Sequence, residues 1–224
     1  MELTKEQIQH IENRLIKDGV KYWDIRIEML DHIISDVENT LNNDTPFKES
    51  VQNAMVKLGW KENFNGSNFE GIIQQRTKDI AKKYRNIFWD DLKKTMMKPK
   101  SILLFVLLFL FLFIFKENEI VLKYTLFTFI ASNLILILFY FYKYQMLRSV
   151  QLNFVLQLST FSISIFNFII FFPKVLFKYD VFGSEYLFLV LFLIIPISLL
   201  GLKFFIKEYQ KINTTYQKLI SSCN

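Results

Sequence analysis

The chain has 224 residues and a formal net charge of +6, which leaves room for one small water-soluble domain and one small membrane domain. Its single cysteine, Cys223, excludes an intramolecular disulfide and a cysteine-based zinc site. Residues 1–60 carry 7 basic and 11 acidic side chains (net −4), while residues 61–100 and 101–224 each carry 10 and 5 (net +5), so the basic excess lies away from the first segment and argues against a nucleic-acid footprint there.

The N-terminus (MELTKEQIQHIENRL) is charged and lacks an apolar stretch of the secretory kind, so it reads as folded protein. Thr4-Lys5-Glu6-Gln7 fits a capping box, in which the Thr hydroxyl and the Gln side chain satisfy free backbone donors reciprocally. Ile8, Ile11, Leu15 and Ile16 follow at helical spacing, and Gly19 is a natural stop. A second helix is expected from about Tyr22 to Leu41, with Trp23, Ile27, Leu30, Ile34, Val37 and Leu41 on one face. After a turn at 42–46, with Thr45 as cap and Pro46 as first helical residue, a third helix carries Phe47, Val51, Ala54, Met55 and Leu58 and ends at Gly59-Trp60. Three short amphipathic helices of this kind can share one modest core.

Residues 61–71 read as a polar hinge, and a longer helix starts near Ile72. Its apolar stripe (Ile73, Ile80, Tyr84, Ile87, Leu92) is surrounded by basic side chains, among them Lys82, Lys83, Arg85, Lys93, Lys94 and Lys98. These are expected at a membrane surface, where anionic headgroups attract each cation by ~1 kcal/mol, with Phe88 and Trp89 near the headgroups.

At Pro99-Lys100-Ser101 the composition changes. Ser101 to Phe115 holds no charge and no strong polar group, and three more long apolar blocks follow. Helices apolar on every side need lipid or a large protein shell, and about a hundred preceding residues cannot supply the shell. Spans are expected at 101–116, 120–142, 152–173 and 186–206. Basic residues cluster before the first span, after the second (Lys143, Arg148) and after the fourth. The positive-inside rule therefore puts both termini of a multi-pass membrane protein in the cytoplasm. The expected fold class is all-α: a three-helix cytoplasmic domain (1–60), a hinge and basic juxtamembrane helix (61–100), a four-helix transmembrane bundle (101–206) and a cytoplasmic tail (207–224).

The densest ionisable cluster is on helix two. Glu28, His32 and Asp36 recur every fourth residue and point away from the apolar stripe, with Asp31 beside them. A carboxylate–histidine–carboxylate ladder could chelate an ion, but no second histidine stands at ligand spacing, so no metal is expected and a protein-contact face is preferred. In span three, Asn153, Gln157, Thr160, Ser164 and Asn167 form one polar stripe. It reads as a helix-packing seam, within the bundle or between protomers of a homo-oligomer, ahead of a solute path, because no Asp, Glu, His or Arg lies in the middle of any span. Pro196 and Gly201 in span four are read as tolerated rather than as a functional kink. No nucleotide, hydrolase or metalloprotease motif is found, so neither a catalytic residue nor a cofactor is expected.

The stretch from Leu3 to Trp60 resembles the HAAS type of bacterial signalling domain. The resemblance is carried by I-E-N-R-L (Ile11–Leu15), E-M-L-D-H-I (Glu28–Ile33), Asp36-Val37-Glu38 and A-M-V-K-L-G (Ala54–Gly59). It extends to uncharacterised Bacteroidetes membrane proteins with a similar Y-W-D-I-R-x-E-M-x-D-H segment (Tyr22–His32). It implies a three-helix cytoplasmic module fused to membrane spans, often encoded beside PadR-like transcription regulators, and no catalytic residues. The expected function is a non-enzymatic membrane regulator that docks a protein partner through Glu28, Asp31, His32 and Asp36. The alternative is a small transporter or an accessory subunit of one.

Overall fold

The structure, a computed structural model, describes residues 2–41, 46–61, 69–161 and 183–223. These residues form eight α-helices and no strand: α1 (Lys5–Lys17), α2 (Trp23–Thr40), α3 (Phe47–Lys57), α4 (Glu70–Met96), α5 (Pro99–Ile114), α6 (Glu119–Leu147), α7 (Val150–Ser159) and α8 (Ser184–Cys223). They divide into two compact units. One joins Met1–Lys82 with Leu147–Gln151, and the other joins Lys83–Met146 with Leu152–Asn224.

In the first unit, α2 packs against both α1 and α3. The capping box is present: the Thr4 hydroxyl accepts from the Gln7 amide at 3.3 Å, and Gln7 Oε1 accepts from the Thr4 amide at 2.8 Å. Glu6, in the same first turn, has its carboxyl held below the usual range by its own backbone N–H and then by the Thr4 hydroxyl. Gly19 follows the Asp18 cap with φ of 94°, a left-handed conformation that side-chain-bearing residues rarely adopt. On α1, Ile11 and Leu15 are buried, whereas Ile16, expected on the apolar face, is exposed.

The buried row of α2 is Trp23, Ile25, Met29, Ile33 and Val37. This corrects the expected stripe, because Ile27, Leu30 and Ile34 are only half-buried. A helix held between two neighbours buries a wider arc than one facing a single partner, and the row spaced every fourth residue from Ile25 is the one that enters the core. Helix α3 starts one residue later than expected, with Pro46 as its cap and the Pro46 carbonyl accepting from Glu49 and Ser50. Thr45 lies outside the described residues.

In the second unit, Tyr84, Phe88 and Thr95 are the buried residues of α4. Phe88 was expected at the headgroups. It instead packs edge-on against Phe204 of α8, with ring centroids 5.1 Å apart, while Trp89 stays exposed. Next to them Lys207 donates to Asp91 at 2.6 Å. Lys82, Lys83, Arg85, Lys93, Lys94 and Lys98 are all exposed. Helix α5 leaves α4 at a bend of 73°, and Pro99 at its first position needs no backbone donor.

Leu112 of α5, Leu122 and Leu126 of α6, and Leu187, Val190, Leu191 and Ile194 of α8 form one core cluster. Most of α5 is apolar yet exposed, with Leu112 its single buried residue. A continuous apolar surface of that kind suits lipid. Among the described residues, two helices are long and apolar enough to cross a membrane, within Glu119–Lys143 and Ser184–Leu219, and a third is counted if the bent α4–α5 pair is taken as one span. This makes the chain a candidate multi-pass membrane protein. Of the expected span at 152–173, residues up to Phe161 are described, and the remainder lies outside the described residues. Helix α8 runs through Pro196 and on to Cys223, so the expected tail from 207 continues the last span as helix. At 40 residues it is ~60 Å long, about twice the thickness of a bilayer core.

Candidate functional site: the outer face of α2 and the Asp24 latch

The four side chains expected to meet a partner have different surroundings. Glu28 Oε1 lies 2.9 Å from Arg76 of α4 in an ion pair, and Asp36 Oδ1 lies 2.8 Å from Lys57 of α3. Asp31 and His32 are exposed. Glu28 and His32 border a groove of about 270 Å³ between α2 and the start of α4, lined also by Met29, Leu58, Ile72 and Arg76. The sequence places these carboxylates on the back of α2, but it does not show that α3 and α4 each supply a cation that engages one of them. What stays open for contact is therefore Asp31, His32 and the groove edge.

One turn earlier, Asp24 makes a contact that sequence reasoning missed. Its Oδ2 accepts from the Ser149 hydroxyl at 2.9 Å and from the Gln151 amide at 3.0 Å. Its Oδ1 accepts from the Val150 amide at 3.2 Å and from the Ile25 amide at 3.1 Å. The carboxylate thus satisfies two of the free donors at the start of α7 and sits at the positive end of that helix. It does so from 125 to 127 residues away in sequence, so α2 caps α7 across the fold. Ser149 is fully buried and Val150 nearly so. Arg148, just before them, has φ of 42°, which turns the chain sharply between α6 and α7. The available signal was Arg148-Ser149 ahead of an apolar run, which marks a helix start. It says nothing about which carboxylate will serve that start.

The polar stripe of span three is seen only in part. Asn153 and Gln157 bond each other along α7 at 3.5 Å, Thr160 bonds back to the Leu156 carbonyl, and Ser164 and Asn167 lie outside the described residues. A polar bridge between two candidate spans, α6 and α8, is instead found where it was not expected. Ser198 of α8 donates to Asn133 Oδ1 at 2.9 Å, and the Asn133 amide donates to the Phe129 carbonyl at 2.8 Å. Asn133 is buried. A double-mutant cycle of Asn133→Leu and Ser198→Ala, read by thermal denaturation in detergent, should give a coupling of about 0.6 kcal/mol, the usual worth of such a bond between membrane helices.

No protein-family profile matches the sequence, and neither a curated protein nor a solved structure shows detectable similarity to the chain.

Proposed function

We propose that this chain is a non-enzymatic regulatory protein of the bacterial inner membrane, with both termini cytoplasmic and four spans. In this reading the three-helix module docks a protein partner and passes the event to the membrane helices. The observation that carries it is the Asp24 latch. A module serving only as an anchor-bound domain would need no bond beyond its covalent linker. Here one carboxylate holds the start of α7, and α7 runs on from the module's unit into the membrane unit. A HAAS-type signalling role for the module is part of this proposal, and the exposed apolar surface of α5 supports its membrane placement.

The docking face is Asp31 and His32 with the groove edge at Arg76, since Glu28 is paired with Arg76 of α4 and Asp36 with Lys57 of α3. Affinity capture with the full-length protein in detergent should recover a stoichiometric partner. Asp31→Lys together with His32→Glu should lower recovery by about tenfold, which corresponds to ~1.4 kcal/mol of binding. Both side chains are exposed, so the melting temperature should be unchanged. Equal recovery from the variant and the wild type would remove this face from the proposal.

A further inference from the structure

A second surface of the module shares no residue with the α2 face. Helices α1 and α3 leave between them a groove of about 520 Å³, bordered by His10, Arg14, Lys17, Asp18 and Lys48 over Val51. Among the described residues, the one carboxylate lining it is already committed. Asp18 Oδ2 accepts from the Trp60 indole at 3.2 Å and lies 3.8 Å from Arg14 Nε. Arg14 in turn donates to Gln52 and lies over the Trp60 ring, 5.9 Å from its centroid. These contacts hold one wall of the groove in place. Lys17 and Lys48 are exposed, and neither ammonium makes a hydrogen bond or ion pair among the described residues. His10 stands beside Phe47, with ring centroids 6.0 Å apart.

The groove is thus locally basic in a segment whose net charge is −4 (7 basic, 11 acidic). That overall charge disfavours a nucleic acid, whose long polyanion would meet the acidic remainder of the surface. We propose that the groove between α1 and α3 binds an acidic segment of a partner protein, with carboxylates meeting Lys17 and Lys48. Charge complementarity steers such a segment and sets its register.

The test uses the full-length protein in nanodiscs of neutral lipid and a fluorescent amphipathic peptide bearing Glu at i,i+4 spacing, followed by anisotropy. The acidic peptide should bind, and its Lys-for-Glu counterpart should not. Lys17→Glu with Lys48→Glu should weaken binding by about tenfold, and Lys17→Gln with Lys48→Gln by roughly threefold, as expected for two exposed ion pairs lost or reversed. Lys5→Glu with Lys21→Glu makes the same charge change elsewhere on the module and should alter affinity by less than about twofold. Unaltered melting of each variant guards against misfolding. Equal weakening in the two Glu pairs would overturn the proposal, since binding would then follow net charge alone. Displacement of the peptide by low concentrations of inorganic phosphate, or tighter binding of an RNA oligomer, would also overturn it.

Discussion

Replacing Asp24 with Ala will free the start of α7, and hydrogen exchange at the Val150 and Gln151 amides will speed up by roughly 30-fold, the equivalent of ~2 kcal/mol. The size follows from what one carboxylate does there. It accepts from the Ser149 hydroxyl and from the Val150 and Gln151 amides, and its charge sits at a helix N-terminus. Ser149→Ala removes one of those three bonds and should speed exchange by about fivefold, near 1 kcal/mol. Asp24→Asn should fall between the two, because its amide nitrogen offers donors where the partners are themselves donors. Exchange within α1 should stay slow in all three variants, as its capping box is independent of Asp24. If the amides of α7 exchange no faster in Asp24→Ala, the latch holds nothing, and the proposed route from the module to the membrane helices fails with it.

The second large effect is expected at Gly201. A Cβ built on this residue would collide with the Ser159 carbonyl oxygen and lie 3.2 Å from its carbonyl carbon. The obstacle is backbone of α7, which cannot swing aside as a side-chain end could. Relief requires that α7 and α8 separate locally. Gly201→Ala should therefore destabilise the second unit by about 2–3 kcal/mol, at the upper end of the usual cost of overpacking. The readout is the midpoint of thermal denaturation in detergent. Gly71 provides the matched control, since nothing lies within 4 Å of its Cβ position near the start of α4. Gly71→Ala should be neutral or stabilise by up to about 1 kcal/mol through reduced freedom of the unfolded chain. Opposite signs at the two glycines would show that close helix approach, rather than helix propensity, sets the Gly201 effect. Equal effects would refute it.

Gly201 also shows where sequence reading stops. Pro196 and Gly201 were both expected to be tolerated in the last span. Pro196 fits that reading, because α8 continues through it as one helix. Gly201 fits it too, since α8 continues through it, but its missing side chain also makes room for the Ser159 backbone, 42 positions earlier in the chain, which no local pattern announces. The same limit applies to Asp24. As an acid in the first turn of α2 it looks like a common dipole-complementing residue. Its second role depends on Ser149 arriving from the α6–α7 connection.

Local features were legible from residues close in the chain. The capping box at Thr4 and Gln7, the stops at Gly19 and Gly59, and the bounds of the first three helices to within about a residue or two all depend on neighbours a few positions apart. The switch at Pro99 to helices apolar on all sides was equally plain, because composition alone decides whether a helix can be solvated by water. Tertiary structure alone decided which row of α2 is buried, that Arg76 and Lys57 engage Glu28 and Asp36, and that Phe88 turns from the expected headgroups to Phe204. Periodicity reports that a helix has an apolar side. Which neighbour meets that side, and which donor meets a given carboxylate, is set by contacts between residues far apart in sequence, and no local pattern encodes them.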